Sequence, residues 1–265
     1  MKIAFIGGGN MGEAMLSAIL DKGISTSQAI SVSDVDEARR QHLERKYGVV
    51  VMGNNRLAVA RGEVVVLAIK PQNLAEVMAE LNGQLKPTQL VLSIIAGARI
   101  DALRLGLNHS SIVRVMPNTP AQIGEGMSVW TASAEVTGQQ KEWAGAILGT
   151  MGKEIYVDDE KYIDMATAIS GSGPAYFFLM VEALVDAAVH IGLSRDIAQE
   201  LVLQTMLGSG HFIQKSGKTP AELRKMVTSP GGTTAEALLQ FEKGEFTELV
   251  KQAVEAAYSK AKKLG

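Results

Sequence analysis

The first twelve residues constrain this chain more than any other stretch. Lys2-Ile3-Ala4-Phe5-Ile6 is an apolar run too short for a helix and suited to a buried parallel strand. It leads directly into Gly7-Gly8-Gly9-Asn10-Met11-Gly12, which fits G-x-G-x-x-G. Glu13 to Asp21 then reads as a helix, with Ala14, Met15, Ala18 and Ile19 apolar. Strand, glycine turn and helix in that order form the context in which the motif marks a dinucleotide site. Gly7 makes the tight turn, Gly9 lets backbone approach a pyrophosphate, and Gly12 allows helix to pack on strand. The helix N-terminus then faces the phosphates with unpaired N–H groups and a positive dipole end. The alternative is a glycine turn in an α/β protein with no ligand.

Strand and helix signals alternate onward to about Val157. Ile30 to Ser33 reads as a second strand, Val64 to Ile69 as the clearest buried parallel strand, and Leu90 to Ile95 and Ile112 to Met116 as two more. Met127 to Trp130 and Glu154 to Val157 close the series, with a helix over Gly138 to Met151 between them. Residues 1–158 are therefore expected to form a Rossmann-type, doubly wound dinucleotide-binding domain. Ligands of such sheets bind beyond the carboxyl ends of the strands, which places Lys70 and the Ala96-Gly97 turn near the cofactor. Asp34, 22 residues past Gly12, stands where the adenosine ribose is read. An acid there favours a free 2′-hydroxyl, whereas Ser33 with Arg39 and Arg40 could accept a 2′-phosphate. NAD and NADP both stay open.

Beyond residue 158 strand signals stop, and 159–265 reads as an all-α domain. Ser170-Gly171-Ser172-Gly173-Pro174 is expected to break a helix over Asp159 to Ile169 and to start a long one ending at Ile191. That long helix is apolar nearly all round, with Glu182, Asp186 and His190 on one stripe. A helix apolar on every side is buried on every side, so the expectation is a homodimer with interleaved helices. Thr219-Pro220-Ala221-Glu222 has the form of a capping box, and Thr233 with Glu236 that of a second. The stretch Ser229-Pro230-Gly231-Gly232-Thr233-Thr234 thus opens onto a helix N-terminus and is sized for a carboxylate, or is simply a cap.

Composition narrows the chemistry. The chain has 26 basic and 28 acidic residues, so no nucleic-acid surface is expected. With no cysteine, thiolate catalysis and Cys-ligated metals are excluded, and the four histidines have no metal-ligand spacing. No apolar run of ~18 residues lacks a charge, so no membrane span is expected. The N-terminus reads as a strand rather than a signal peptide, and the expected location is cytoplasmic. There is no convincing Ser/His/Asp arrangement. A dinucleotide site with a carboxylate loop and no strong general acid suits reduction of a C=N bond better than a C=O bond, because the product amine is basic. Two other classes are alternatives: a β-hydroxyacid dehydrogenase, which needs a helix lysine that Pro174 to Ile191 lacks, and a non-enzymatic NADP-binding regulator, which needs no second anion site.

Five segments carry a family resemblance: Phe5 to Gly12, Ala68-Ile69-Lys70-Pro71-Gln72, Val115-Met116-Pro117-Asn118-Thr119-Pro120, Ser170-Gly171-Ser172-Gly173-Pro174-Ala175-Tyr176, and Ser229 to Thr234. In this order the chain resembles the pyrroline-5-carboxylate reductases. The resemblance implies reduction of 1-pyrroline-5-carboxylate to L-proline, the last step of proline synthesis, with NADPH or NADH. It also implies a homodimer through the helical domain, with assembly to a decamer in some members. By position it implies cofactor contacts from Ile6, Gly7, Gly8, Gly9, Asn10, Met11, Ser33, Asn55, Ala68, Lys70 and Ala96. Substrate contacts would come from Ser229, Gly231, Gly232, Thr233 and Thr234, with Thr234 aiding protonation of the ring nitrogen and Glu160 as a substrate-side acid. No metal is implied. The nicotinamide would point toward the partner subunit's helical domain. Asp34 departs from the uncharged or basic residue common in NADPH-preferring members.

Overall fold

A computed structural model describes residues 1–264. The first part of the chain alternates: β1 (Ile3–Ile6), α1 (Asn10–Asp21), β2 (Ile30–Ser33), α2 (Glu37–Tyr47), β3 (Val50–Met52), α3 (Asn55–Val59), β4 (Val64–Leu67), α4 (Leu74–Leu81), β5 (Leu90–Ser93), α5 (Ile100–Leu107), β6 (Ile112–Met116), β7 (Gly126–Ala132), α6 (Gly138–Gly149) and β8 (Gly152–Tyr156). The strands form one sheet in the order β3-β2-β1-β4-β5-β6-β7-β8. All pairings are parallel except β6 with β7. The order reverses at β1, which lies between β2 and β4, so the chain's first strand sits at the topological switch point.

The period of two along each strand builds the two layers. Ile3, Phe5, Val64, Val66, Leu90 and Leu92 face one side and pack with Met15, Leu16 and Ile19 of α1. Ala4, Ile6, Val65, Leu67 and Val91 face the other and pack with Ala58, Val59, Val77 and Leu103. Both faces are covered, which is why β1, β4 and β5 read as apolar runs rather than alternating ones.

The remaining elements are helical: α7 (Lys161–Ala166), a π-helical turn (Thr167–Gly171), α8 (Gly173–His190), α9 (Arg195–Ser216), α10 (Pro220–Met226), α11 (Thr233–Lys243) and α12 (Phe246–Leu264). The chain divides into two compact units, Met1–Ser172 with the end of α12 from Ala257 on, and Gly173–Ala256. The sequence boundary at 158/159 differs from this because α7 and the π turn pack on the sheet unit: Ile163 and Ala168 are buried, and Asp164 pairs with Arg114 of β6. Ser170-Gly171-Ser172 does not break the helix as expected. The Ser172 N–H bonds to the Thr167 carbonyl, a wide turn that absorbs the glycine within a helical path from Lys161 to His190.

The second unit has little interior of its own. Val185, Ala198 and Leu223 are its buried apolar residues among those described, while Phe177, Phe178 and Leu179 of α8 are each about two-thirds exposed. The helical path Lys161–His190 is long and apolar enough to cross a membrane by length and composition, with a mean hydropathy of 1.4 over its most apolar window. Exposed Glu182, Asp186 and His190 line α8. The Thr219–Glu222 capping box forms. The Thr233–Glu236 box does not: Gly232 takes the cap position with extended backbone, so Thr233 becomes the first helical residue and makes no cap bond.

One charge cluster ties α1 to α2. The Glu13 carboxylate accepts from Lys46 (2.9 Å), Tyr47 (2.9 Å), His42 (3.1 Å) and Arg39. Burial pushes its pKa up, but these four donors outweigh burial and hold it at about 2. A depressed carboxylate contributes stability above its unfolded pKa, and that contribution is lost as pH falls toward the folded one. We therefore expect the melting temperature of Glu13→Gln to fall less than that of the wild type between about pH 4.5 and about pH 2. Parallel curves from scanning calorimetry over that window would show that the cluster does not stabilise the fold.

Candidate functional site

A cleft of about 500 Å³ opens at the carboxyl ends of β1, β2 and β4. Gly7, Gly9, Asn10, Ser33, Asn55, Ala68 and Lys70 all line it, as expected from the sequence. The rest of the expected cofactor set is placed differently. Ile6 is the fully buried end of β1, Gly8 is buried beneath the loop, and Met11 packs on the core. Ala96 belongs to the turn after β5 and is not part of the cleft wall.

The geometry of the glycine loop follows from contact and dihedral angle. Gly7 has φ +97°, and a Cβ there would lie 2.6 Å from the Ala68 carbonyl oxygen. No other residue fits where β1 and β4 part. At Gly9 an added Cβ meets nothing within 4 Å, so that position is an open cradle. Gly9 is also the cap of α1 and supplies no side-chain bond, which leaves the first-turn N–H groups of α1 without a side-chain cap. An open cradle over an uncapped helix start suits a pyrophosphate.

Asp34 has a role the sequence did not disclose. One carboxylate oxygen accepts from Gly8 N (2.8 Å) and the other from Asp36 N (2.9 Å). It staples the glycine loop to the end of β2 and does not simply project into the cleft. Arg39 bonds the Gly8 carbonyl and Glu13. Arg40 bonds the Asp34 carbonyl (2.7 Å). Asn55 donates to Glu80 (2.6 Å). Lys70 stands exposed at the start of a short 3₁₀ turn, Pro71–Asn73, and brings a cation to the cleft.

In the second unit, Gly231 has φ +70° and Gly232 donates to the Ser229 carbonyl (3.0 Å), folding Ser229 to Gly232 into a tight turn ahead of α11. Thr234 is half-buried and Thr233 exposed. The N-terminus of α11 lacks any side-chain cap, so its first-turn donors are free of one. Glu160 lies elsewhere, in the sheet unit, where its Oε1 accepts from Ile100 N (2.9 Å) and Arg114 Nη1 (2.8 Å).

A doubly wound sheet with an uncapped glycine loop at its switch point defines a dinucleotide-binding oxidoreductase fold. Comparison with known proteins agrees and narrows it. Residues 2–97 match the family model described as NADP oxidoreductase, coenzyme F420-dependent, and residues 160–264 match that for pyrroline-5-carboxylate reductase dimerisation. The pyrroline-5-carboxylate reductase of Pseudomonas aeruginosa is 42% identical over 264 residues, covering 99% of this chain and 96% of the relative. That of Arabidopsis thaliana is 35% identical over 263 residues, covering 99% and 95%. Among solved structures, the Coxiella burnetii enzyme superposes with a TM-score of 0.92 at 36% identity, covering 100% of this chain and 98% of the other. The Plasmodium falciparum enzyme with NADP bound gives 0.91 at 34%, with the same coverage. This chain belongs to the pyrroline-5-carboxylate reductase family.

The open cradle yields a clean test. Gly9→Ala has room for its methyl group and an allowed backbone, so the melting temperature should stay near that of the wild type. If Gly9 marks the pyrophosphate, the dissociation constant for NADPH should rise about tenfold or more, the equivalent of one lost charge-assisted contact. Unchanged affinity in a fluorescence titration would move the pyrophosphate off this loop.

Proposed function

We infer that this chain reduces 1-pyrroline-5-carboxylate to L-proline with NADPH, the last step of proline biosynthesis. The observation that carries this is the full-length kinship to reductases of that name, joined to an open phosphate cradle at the start of α1. When bound, NADPH would supply a hydride to the imine carbon, C2 of the pyrroline ring, while the ring nitrogen gains a proton. The C=N bond becomes CH–NH, so one hydride and one proton balance the change.

The chain's own residues divide the remaining work. Gly7, Gly9 and Asn10 support the pyrophosphate, and Lys70 offsets its charge. Ser33 and Asn55 flank the adenosine end, and Ala96 the nicotinamide end. Ile6, Gly8 and Met11 shape this loop from beneath. Asp34, tied to two backbone amides, leaves NADH as a second cofactor. Ser229, Gly231, Gly232 and Thr233 hold the substrate carboxylate at the N-terminus of α11, where amide donors and the helix dipole favour an anion. Thr234 hydrogen-bonds the ring nitrogen and assists its protonation. The imine needs no strong acid, since the nitrogen can arrive protonated.

The helical unit pairs two chains, with assembly to a decamer as the finer reading. Its exposed Phe177, Phe178 and Leu179 form the kind of surface an obligate interface covers. The proposed location is the cytoplasm, with no membrane or nucleic-acid partner. No metal enters the reading.

The deciding assay follows NADPH oxidation with 1-pyrroline-5-carboxylate, and NADP reduction with 3-hydroxy acids in reverse. Turnover with the first and not the second is expected. Thr234→Ala should lower kcat/KM roughly 10²-fold if it loses one transition-state hydrogen bond of ~2–3 kcal/mol. An unchanged kcat/KM removes Thr234 from the reaction. Phe178→Glu should convert the dimer to monomer in light scattering, and a dimer that persists would move the interface off α8.

A further inference from the structure

Helix α5 begins badly on its own sequence. Its cap residue is Arg99, which makes no side-chain cap bond and puts a cation at the positive end of the helix. The structure supplies the missing acceptor from 60 residues away. Glu160 Oε1 accepts from the N–H of Ile100, the first residue of α5, at 2.9 Å. A carboxylate at that point satisfies an orphan donor and suits the dipole. The same oxygen accepts from Arg114 Nη1 at 2.8 Å. Arg114 rises from β6 with its side chain 3% exposed, and its other terminal nitrogen bonds Asp164 Oδ1 at 2.8 Å. Arg99 itself turns back toward Asp164 (3.8 Å). Two acids thus balance a buried guanidinium, and one of them also starts α5.

What this cap fixes is the segment just before Ile100. Ile95 to Arg99 leaves the carboxyl end of β5 and turns at Gly97, with φ +77°. The turn is tightly enclosed: a Cβ on Gly97 would stand 2.5 Å from the carbonyl oxygen of Leu264, in the last turn of α12. Ala98 N closes it by bonding the Ile95 carbonyl (3.2 Å). Its near end is anchored by the sheet, through Ile94 N to the Leu67 carbonyl (3.1 Å), and its far end by Glu160.

We propose that Glu160 is a positioning residue for hydride transfer: by capping α5 it holds the Ala96-Gly97 turn in the place where the nicotinamide rests, and it does not touch the substrate. This rests on the reductase reading above. It reassigns Glu160 from a substrate-side acid, because its carboxylate is already engaged through Oε1 by the Ile100 amide and the Arg114 guanidinium.

Glu160→Gln keeps an oxygen acceptor for Ile100 N, and Glu160→Ala removes it. The test measures NADPH affinity by fluorescence titration, amide hydrogen exchange over residues 98–104, and the pH profile of kcat. For Glu160→Ala the dissociation constant should rise about tenfold and exchange at Ile100 should quicken by a similar factor, as expected for one lost buried bond, with the pH profile unmoved. Glu160→Gln should recover most of both. Asp164→Asn, which removes a partner of Arg114 and leaves the cap, should lower the melting temperature without moving NADPH affinity, and so separates positioning from general loss of stability. Wild-type affinity and exchange in Glu160→Ala would overturn the proposal. So would an equal loss of kcat in Gln and Ala variants with an altered pH profile, which would place Glu160 at the reacting atoms. A wild type inactive on pyrroline carboxylate would instead sink the reductase reading, while the affinity and exchange comparison still decides whether Glu160 holds the turn.

Discussion

The pairing of β1 with β4 is the constraint on which the rest of the sheet unit depends. Ile3 to Ile6 lie beside Val64 to Leu67 in parallel register, and neither strand has a polar face. Both must therefore be covered by helices on two sides, and their connections must leave in opposite directions. The opening that results cannot be filled by the sheet itself. Gly7 and Ala68 stand at its two lips, and the contact between them allows no side chain on Gly7. The cleft is thus a consequence of burying β1 and β4, and Gly7 is what keeps it open.

That arrangement creates an electrostatic difficulty, which Glu13 makes visible. It sits in the first turn of α1, close to where the uncapped N–H groups would meet a pyrophosphate. An unpaired acid there would repel the ligand. Arg39, His42, Lys46 and Tyr47, all from α2, converge on its carboxylate and neutralise it. The same bonds fasten α2 to α1 and hold Arg39 against the Gly8 carbonyl. Asp34 acts from the opposite side, on Gly8 N. The loop is therefore gripped at both its carbonyl and its amide by side chains of the β2–α2 segment, and its shape does not depend on glycine flexibility alone.

Much of this was legible in the sequence, for a definite reason. Buried parallel strands, glycine turns and local caps are encoded within a few residues of each other, so β1, β4, β5 and the Thr219–Glu222 box could be read directly. The misread features depend on partners far along the chain or on one backbone angle. Asp34 reads from the sequence as a ribose-side acid, and nothing local shows that it also holds Gly8 N at 2.8 Å. Thr233 looks like a cap until Gly232 is seen to take that place with ψ 167°. The glycines after Ile169 look like a helix break, but a π turn absorbs them. Nothing near Arg99 reveals that α5 is started by Glu160. Even so, the cleft-lining residues named from the sequence came together, because the strand ends that carry them are set by the legible core.

The helical unit poses the opposite problem, and its solution bears on function. With Val185, Ala198 and Leu223 as its buried apolar residues among those described, it lacks the interior that its length would ordinarily supply. Apolar side chains spread round α8 and α9 cannot all face inward in one chain. Such a unit gains its core by association, so the state that folds well is also the paired state. If the turn at the uncapped start of α11 holds the substrate carboxylate, that site is stable only where two chains have met. Coupling the substrate loop to the interface in this way would make reduction a property of the assembly, while dinucleotide binding, built on the self-sufficient sheet unit, would not need it.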